Sequence, residues 1–339
     1  MVRSRVTMKD VASHAGVSLK TVSRVVNGEA GVSLETRQSV DDAIEALGYR
    51  TDLQAQALRR TDRRSHTVGL LISSVANPFD SAIHAALEEV ARQNSASVLA
   101  LSSNDDPETA RAGVAVLAQH QIDGLVFSPV TDDQSWLAQI LGKRPVVAVD
   151  REPGTPVGDA VVSDNRVGAL RATRHLLSQG HTKIAFFGDR EQIQTARARR
   201  SGFEQAMKEA GIETLAELWR PNLAGEEAAR MAAHEMLTGP TPPTAIFAAQ
   251  NTLTAGVLRA LRDLQLDERV AVISFDDLPY AELFKVGLTA ITQDPHRIGQ
   301  IAAERLFGRI NGEITGEPRT ITVPTGFEIR GSGEIPPAR

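Results

Sequence analysis

From Thr67 onward, short and nearly unbroken apolar runs alternate with helical patterns. TVGLLIS, ASVLALS, DGLVFSP and PVVAVD are separated by stretches such as SAIHAALEEVARQ and PETARAGVAVLAQH, and KIAFFGD, TAIFAAQ and RVAVISFDD continue the series. Strands that are apolar on both faces and alternate with helices belong to parallel sheets covered on both sides. Roughly nine such strands over ~260 residues are more than one small sheet needs. The pattern therefore predicts an α/β body of two doubly wound parallel-sheet lobes. The C-terminal ends of their strands would face a common crevice, the ligand position of this architecture.

The first fifty residues follow a different rule. Thr7 is placed to cap a helix, with Asp10 three residues later, and Gly16 is placed to end it. Ser18 caps a second helix from Leu19 to about Val26, in which Val22, Val25 and Val26 are available for packing. Only Gly16, Val17 and Ser18 separate the two, the spacing of a helix-turn-helix. A third helix after Ser33 sets Val40, Ile44 and Leu47 at core spacing and stops at Gly48. Between this all-α head and the body, RTDLQAQALRRTDRRSH is polar, arginine-rich and long enough for one short helix. The expected organisation is a head at 1–49, a hinge or linker at 50–66 and a two-lobed body at 67–339.

Charge and composition narrow the function. Residues 1–66 carry 11 Lys+Arg against 8 Asp+Glu, whereas the remainder carries 26 against 34. A basic head on an acidic body suits a module that meets a polyanion joined to one that does not. The chain has no cysteine, which removes disulfides, thiolate metal sites and cysteine nucleophiles and fits a reducing cytoplasm. The N-terminus has no apolar h-region and no run approaches a membrane span, so neither secretion nor membrane insertion is expected. The eight histidines show no His-x-x-His or HExxH spacing, and no G-x-S-x-G elbow occurs, so neither a metal site, a cofactor nor a hydrolase serine is expected.

Polar residues follow strand after strand: Asn77, Asp150 and Arg151, Gln250 and Asn251, Asp276, and Gln293. Arg199 lies near the start of a helix, and Phe79 and Trp136 offer apolar faces. Carboxylates accept from neighbouring hydroxyls and an arginine donates a fixed fork, a mixture suited to a neutral polyol such as a sugar. A polyphosphate is disfavoured, since no glycine-rich loop follows any strand. Each Asp or Asn just past a strand is equally suited to cap the following helix.

Taken with these motifs, the sequence resembles the LacI family of transcription regulators along essentially its whole length. T-M-K-D-V-A-x-x-A-G-V-S-x-x-T-V-S-R-V-V-N carries the likeness in the head. N-P-F at 77–79, D-N-R-V-G-A at 164–169, G-H-T-K-I-A at 180–185, R-x-x-G-F at 199–203, F-D-D at 275–277 and Q-D-P at 293–295 carry it in the body. The resemblance implies that Ser18 to Asn27 form a recognition helix in the major groove. Leu19, Lys20 and Arg24 would then read bases, and Thr21, Ser23 and Asn27 would hold phosphates, with Thr7, Ser18 and Gln56 also at the DNA. It implies further that L-Q-A-Q-A-L at 53–58 is a hinge helix whose Leu58 wedges into the minor groove. Thr51, Asp52 and Gln56 depart from the proline, asparagine and arginine frequent there. Asn77, Phe79, Asp80, Asp150, Arg151, Arg199, Gln250, Asn251, Asp276 and Gln293 would form the effector site. Asp80 stands where relatives often stack a second aromatic, and Gln250-Asn251 replaces the usual N-D.

The resulting expectation is a non-enzymatic, cytoplasmic repressor that holds a palindromic double-stranded operator as a homodimer, or as a tetramer, and is released by a sugar bound between the lobes. A nucleoside effector, a corepressor mode, and a sugar-binding protein without regulatory role stand as alternatives. The tail GSGEIPPAR has no leucine heptads, so a tetramerising coiled coil there is not expected.

Overall fold

The computed structural model describes residues 6–26, 31–49 and 64–338. The chain divides into two compact units, Met1–Ser65 and His66–Arg339.

In the first unit, α1 (Met8–Ala15), α2 (Leu19–Val26) and α3 (Leu34–Leu47) pack around Val11, Val22 and Val40, each fully buried. The Thr7 backbone N–H donates to Asp10 Oδ2 (2.8 Å), and Gly16 ends α1 with φ of +67°. Ser18 and Ser33 accept from the amides of Thr21 and Thr36. The local signals and the three-helix packing thus agree. The expected hinge helix, with Thr51, Asp52, Gln56 and Leu58, lies outside the described residues, as does Asn27.

The second unit contains two six-stranded sheets. The first lobe is built on β1 (Thr67–Ile72), β2 (Ser97–Ser102), β3 (Gly124–Phe127), β4 (Val146–Asp150), β5 (Asp159–Ser163) and β11 (Thr320–Val323), in the order β11-β5-β4-β3-β1-β2. The second is built on β6 (Ile184–Phe187), β7 (Trp219–Arg220), β8 (Ala245–Ala248), β9 (Ala271–Phe275), β10 (Thr289–Thr292) and β12 (Gly326–Glu328), in the order β12-β10-β9-β8-β6-β7. Every pairing is parallel except β10 with β12.

Helices cover both faces of both sheets. In the first lobe Val68, Leu70 and Ile72 of β1 join the core under α4 (Pro78–Gln93) and α11 (Pro295–Asn311). Leu71, pointing the other way, joins the core under α5 (Pro107–Gln119) and α6 (Trp136–Leu141). The second lobe repeats the plan: Phe187 and Ile246 face α9 (Gly225–Thr238) and α10 (Asn251–Asp263), while Phe186 and Phe247 face α7 (Asn165–Ser178) and α8 (Gln194–Glu209). Two apolar faces per strand are what makes these strands read as continuous hydrophobic runs.

The chain crosses between the lobes three times, after β5, after β10 and after β11. The crossings lie side by side. Asp164 at the first accepts from the amide of Thr325 at the third (2.7 Å), and Thr292 at the second pairs with Gly326. Gly202 in the R-x-x-G-F motif serves packing. A Cβ there would stand 2.3 Å from the Arg166 carbonyl oxygen, so glycine is what lets α8 lie against α7. His181, fully buried, spends both ring nitrogens on Thr244 Oγ1 and the Ile335 carbonyl, each at 2.9 Å. The G-H-T-K-I-A motif is thereby structural.

Candidate functional site

Two surfaces carry the expected functional residues. On α2, Leu19 and Lys20 are exposed and Ser23 and Arg24 half-exposed, opposite the buried Val22 and Val25. Thr7, Ser18 and Thr21 stand at the N-termini of α1 and α2; the hydroxyls of Ser18 and Thr21 lie 2.8 Å apart. Hydroxyls and free amides at a helix N-terminus are the groups that hold phosphate oxygens.

The second surface is the crevice at the strand ends. Asn77, Phe79, Asp80, Asp150, Arg151 and Arg199 line it, together with Gln250, Asp276 and Gln293. Its free volume is only about 30 Å³, because its own side chains fill it. Asp150 and Asp276 end the central strands β4 and β9 in equivalent fashion, both in the left-handed region, with φ of +66° and +70°. Non-glycine residues held there are strained by about 1–3 kcal/mol, a cost that recurs at ligand sites.

Arg199 is the most constrained group. Its guanidinium lies 3.8 Å from the Phe275 ring centroid, donates to Asn165 Oδ1 (2.7 Å) and the Ala249 carbonyl (2.8 Å), and stands 3.5 Å from Asp276. Gln293 Nε2 donates to Asp276 Oδ1 (2.5 Å), while Gln293 Oε1 is buried with no hydrogen-bond partner among the described residues. Arg151 donates to Asp105 (2.6 Å) and Asp150 (3.2 Å).

Asp80, 3 % exposed, does more than line the wall: its Oδ2 accepts from Ser73 Oγ (2.5 Å) and the Ser74 amide (2.8 Å), fixing the turn after β1. Burial pushes its carboxyl up to about 6, against the two bonds that favour its charged form. Burial also raises Asp150 and Asp189. For Arg151, burial opposes the charge, but Asp105 and Asp150 more than offset it and hold the guanidinium protonated.

Three ties join the lobes across the crevice. Asp105 accepts from Arg190 (3.2 Å), Asn77 accepts from Asn251 Nδ2 (2.9 Å), and Asp132 accepts from Arg197 (2.6 Å). Asn77 also caps α4 by accepting from the Phe79 amide (3.1 Å), so the capping role and the crevice role coexist in one side chain.

One expectation needs correction. Trp136 does not offer a face to the crevice. It is buried in α6, in the separate core that contains Leu71 and Phe127, under the Arg111 guanidinium. Asn251 is brought to the crevice as expected, where its Nδ2 donates to Asn77 (2.9 Å). The sequence reading also passed over Ser73, Asp105, Asp189 and Arg190. Each follows a strand, as the recognised residues do, so the same rule applied to LLIS, ALSSND and FFGDR would have found them.

A model of bacterial regulatory proteins of the lacI family matches residues 7–52, and a model of the periplasmic binding protein-like domain matches residues 173–333. The transcriptional regulator GalS of Salmonella typhimurium is 33% identical over 306 residues, 88% of either chain. The chain belongs to the lacI family. It shares 30% identity with the ribose operon repressor of Escherichia coli, over 96% of this chain and 99% of that one. The structure of the Lac repressor dimer bound to operator and the anti-inducer ONPF superposes with a TM-score of 0.83 at 27% identity, covering 97% of this chain and 99% of the other. Like its lacI-family relatives, the protein is a DNA-binding transcription regulator and not an enzyme. Among the described residues no helix is long and apolar enough to cross a membrane, and no group of three or more His, Cys, Asp or Glu is arranged to hold a metal ion.

Proposed function

We propose that this regulator represses transcription as a cytoplasmic homodimer on a palindromic operator and is released when a neutral sugar occupies the crevice between the lobes. Residues 1–49 form the reading head, 50–66 the hinge, and 67–339 the effector and dimerisation body. Within the head, Leu19, Lys20 and Arg24 read base edges, and Thr7, Ser18, Thr21, Ser23 and Asn27 hold phosphates. Gln56 and Leu58 act in the minor groove.

The observation that carries the sugar reading is the charge and hydrogen-bond inventory of the crevice. Five aspartates (80, 105, 150, 189 and 276) face three arginines (151, 190 and 199), and burial already resists ionisation of three of the five. An anionic ligand would deepen that cost. A polyol relieves it, since each hydroxyl donates to a carboxylate or to the unpaired Gln293 Oε1 and accepts from Arg199. The E. coli relative named for the ribose operon and the Lac repressor complexes support the same class of effector and the dimeric, operator-bound form. With about 30 Å³ free, a sugar enters only if side chains or lobes move, and movement of the lobes couples binding to their arrangement.

Thermal-shift screening of the full chain against pentoses, hexoses, polyols and nucleosides tests the reading. A neutral sugar should raise the melting temperature and release the protein from DNA. Stabilisation by sugar phosphates or sugar acids alone would overturn it.

A further inference from the structure

The first lobe holds a second cavity of about 320 Å³, between α5, the loop after β3 and α6, which shares no lining residue with the crevice. Its floor is Leu71, Ala110, Phe127 and Trp136, all buried. The Arg111 guanidinium stands 5.0 Å from the Trp136 ring centroid at one side. Ser128, 2 % exposed, also lines the cavity, and its Oγ has no hydrogen-bond partner among the described residues. A buried hydroxyl left unpaired is rare in native proteins and points to a missing partner.

We propose that this cavity is a second small-molecule site, for an uncharged ring compound bearing one hydroxyl or N–H group. The volume lies within the range of ligand pockets, about 300–1,000 Å³. The apolar floor takes the ring, and Ser128 Oγ pairs with the single polar group. A sugar fits this inventory poorly. The floor is apolar, Gln134 and Thr131 already bond each other, and Ser128 Oγ is the one buried polar atom of the described lining without a partner. Hydroxyls on the apolar floor would go unsatisfied. An anion does not fit either: Glu108 and Asp133 line the same cavity as Arg111, and Arg111 is engaged on Trp136. The occupant would bear on the loop 128–134, which also ties the lobes. Asp132 in it pairs with Arg197 across the crevice, and Pro129 in it accepts from Arg151 (3.2 Å) within the first lobe.

The probe is 4-fluorobenzyl alcohol, followed by fluorine line broadening and by calorimetry on the full chain. Trp219→Phe leaves Trp136 as the sole tryptophan, whose emission reports occupancy. Saturable one-site binding with a Kd of about 1 mM or tighter is expected. Ser128→Ala should weaken it about threefold to tenfold. Ala110→Leu, which fills the floor, should abolish it, and Asp276→Ala should leave it unchanged. The proposal is overturned if folded protein shows no saturable binding at ~10 mM probe, if Ser128→Ala binds as tightly as wild type, or if Asp276→Ala removes the probe, which would place it in the crevice. Should Ala110→Leu fail to fold, Ser128→Ala and the Trp136 signal still decide.

Discussion

Asp105 in the first lobe and Arg190 in the second meet at 3.2 Å, and the same carboxylate accepts a 2.6 Å bond from Arg151 behind it. One aspartate at the end of β2 is thus both the counter-ion of a buried arginine and the point where the second lobe attaches. Arg190 is about one-third exposed, so the tie is worth about 1 kcal/mol at most. Arg190→Ala should raise hydrogen exchange at the amides around residues 103–106 and 189–191 up to about fivefold, with little change in global stability. Unchanged exchange would show that the other two ties alone hold the lobes.

Head and crevice should fail separately. Arg24→Ala should weaken binding to the wild type's preferred DNA fragment about fivefold to 150-fold, the range for losing one base contact, while sugar-induced stabilisation persists. Asp276→Ala should bind DNA normally and lose the response to sugar. Gel-shift titration with and without sugar distinguishes these, and normal release of Asp276→Ala would move the effector site elsewhere.

The titration of Asp80 gives a pH signature. Its folded carboxyl sits at about 6, above the unfolded value of about 3.9. The folded state therefore holds the proton more tightly, and Asp80 reduces stability as pH rises from about 4 to 6, fully so above that. Asp80→Asn keeps an acceptor for Ser73 and Ser74 without the charge. Its melting temperature relative to wild type should rise between pH 5 and pH 7.5; a difference flat in pH would count against this account.

Asp159 behaves oppositely. It is fully buried, and Arg305 (3.0 Å) and Arg309 (2.7 Å) of α11 converge on it. Burial resists its charge, but their hydrogen bonds, with the Arg319 amide, hold the carboxyl well below the usual range. Its contribution is complete above about pH 4 and is lost as pH falls further. Asp159→Ala strands two arginines and should cost about 3–5 kcal/mol in denaturant unfolding at pH 7, a deficit that narrows only in acid.

Much of this was legible in the residues. Thr7, Gly16, Ser18, Ser33 and Gly48 act within one turn, and their reading needs no tertiary information. Strands apolar on both faces announce parallel sheets before any pairing is known. The crevice residues were legible because strand ends converge in this architecture, which supplies the long-range information the sequence lacks. Trp136 was not, because an aromatic away from a strand end has no such rule, and only packing decides that it faces Leu71 and Phe127. The bond of Asn251 to Asn77 was not legible for a related reason: the two lie 174 residues apart, in different lobes.

The three adjacent crossings, stitched by Asp164 to Thr325 and by Thr292 to Gly326, have a mechanical consequence. Lobes joined along one edge cannot slide or separate; they retain one soft coordinate, a rotation about the seam. Effectors of different size would then stop that rotation at different angles instead of selecting among unrelated shapes. A series of sugars should grade the response, with poor fits acting as partial inducers, and the seam sets the scale on which they are ranked.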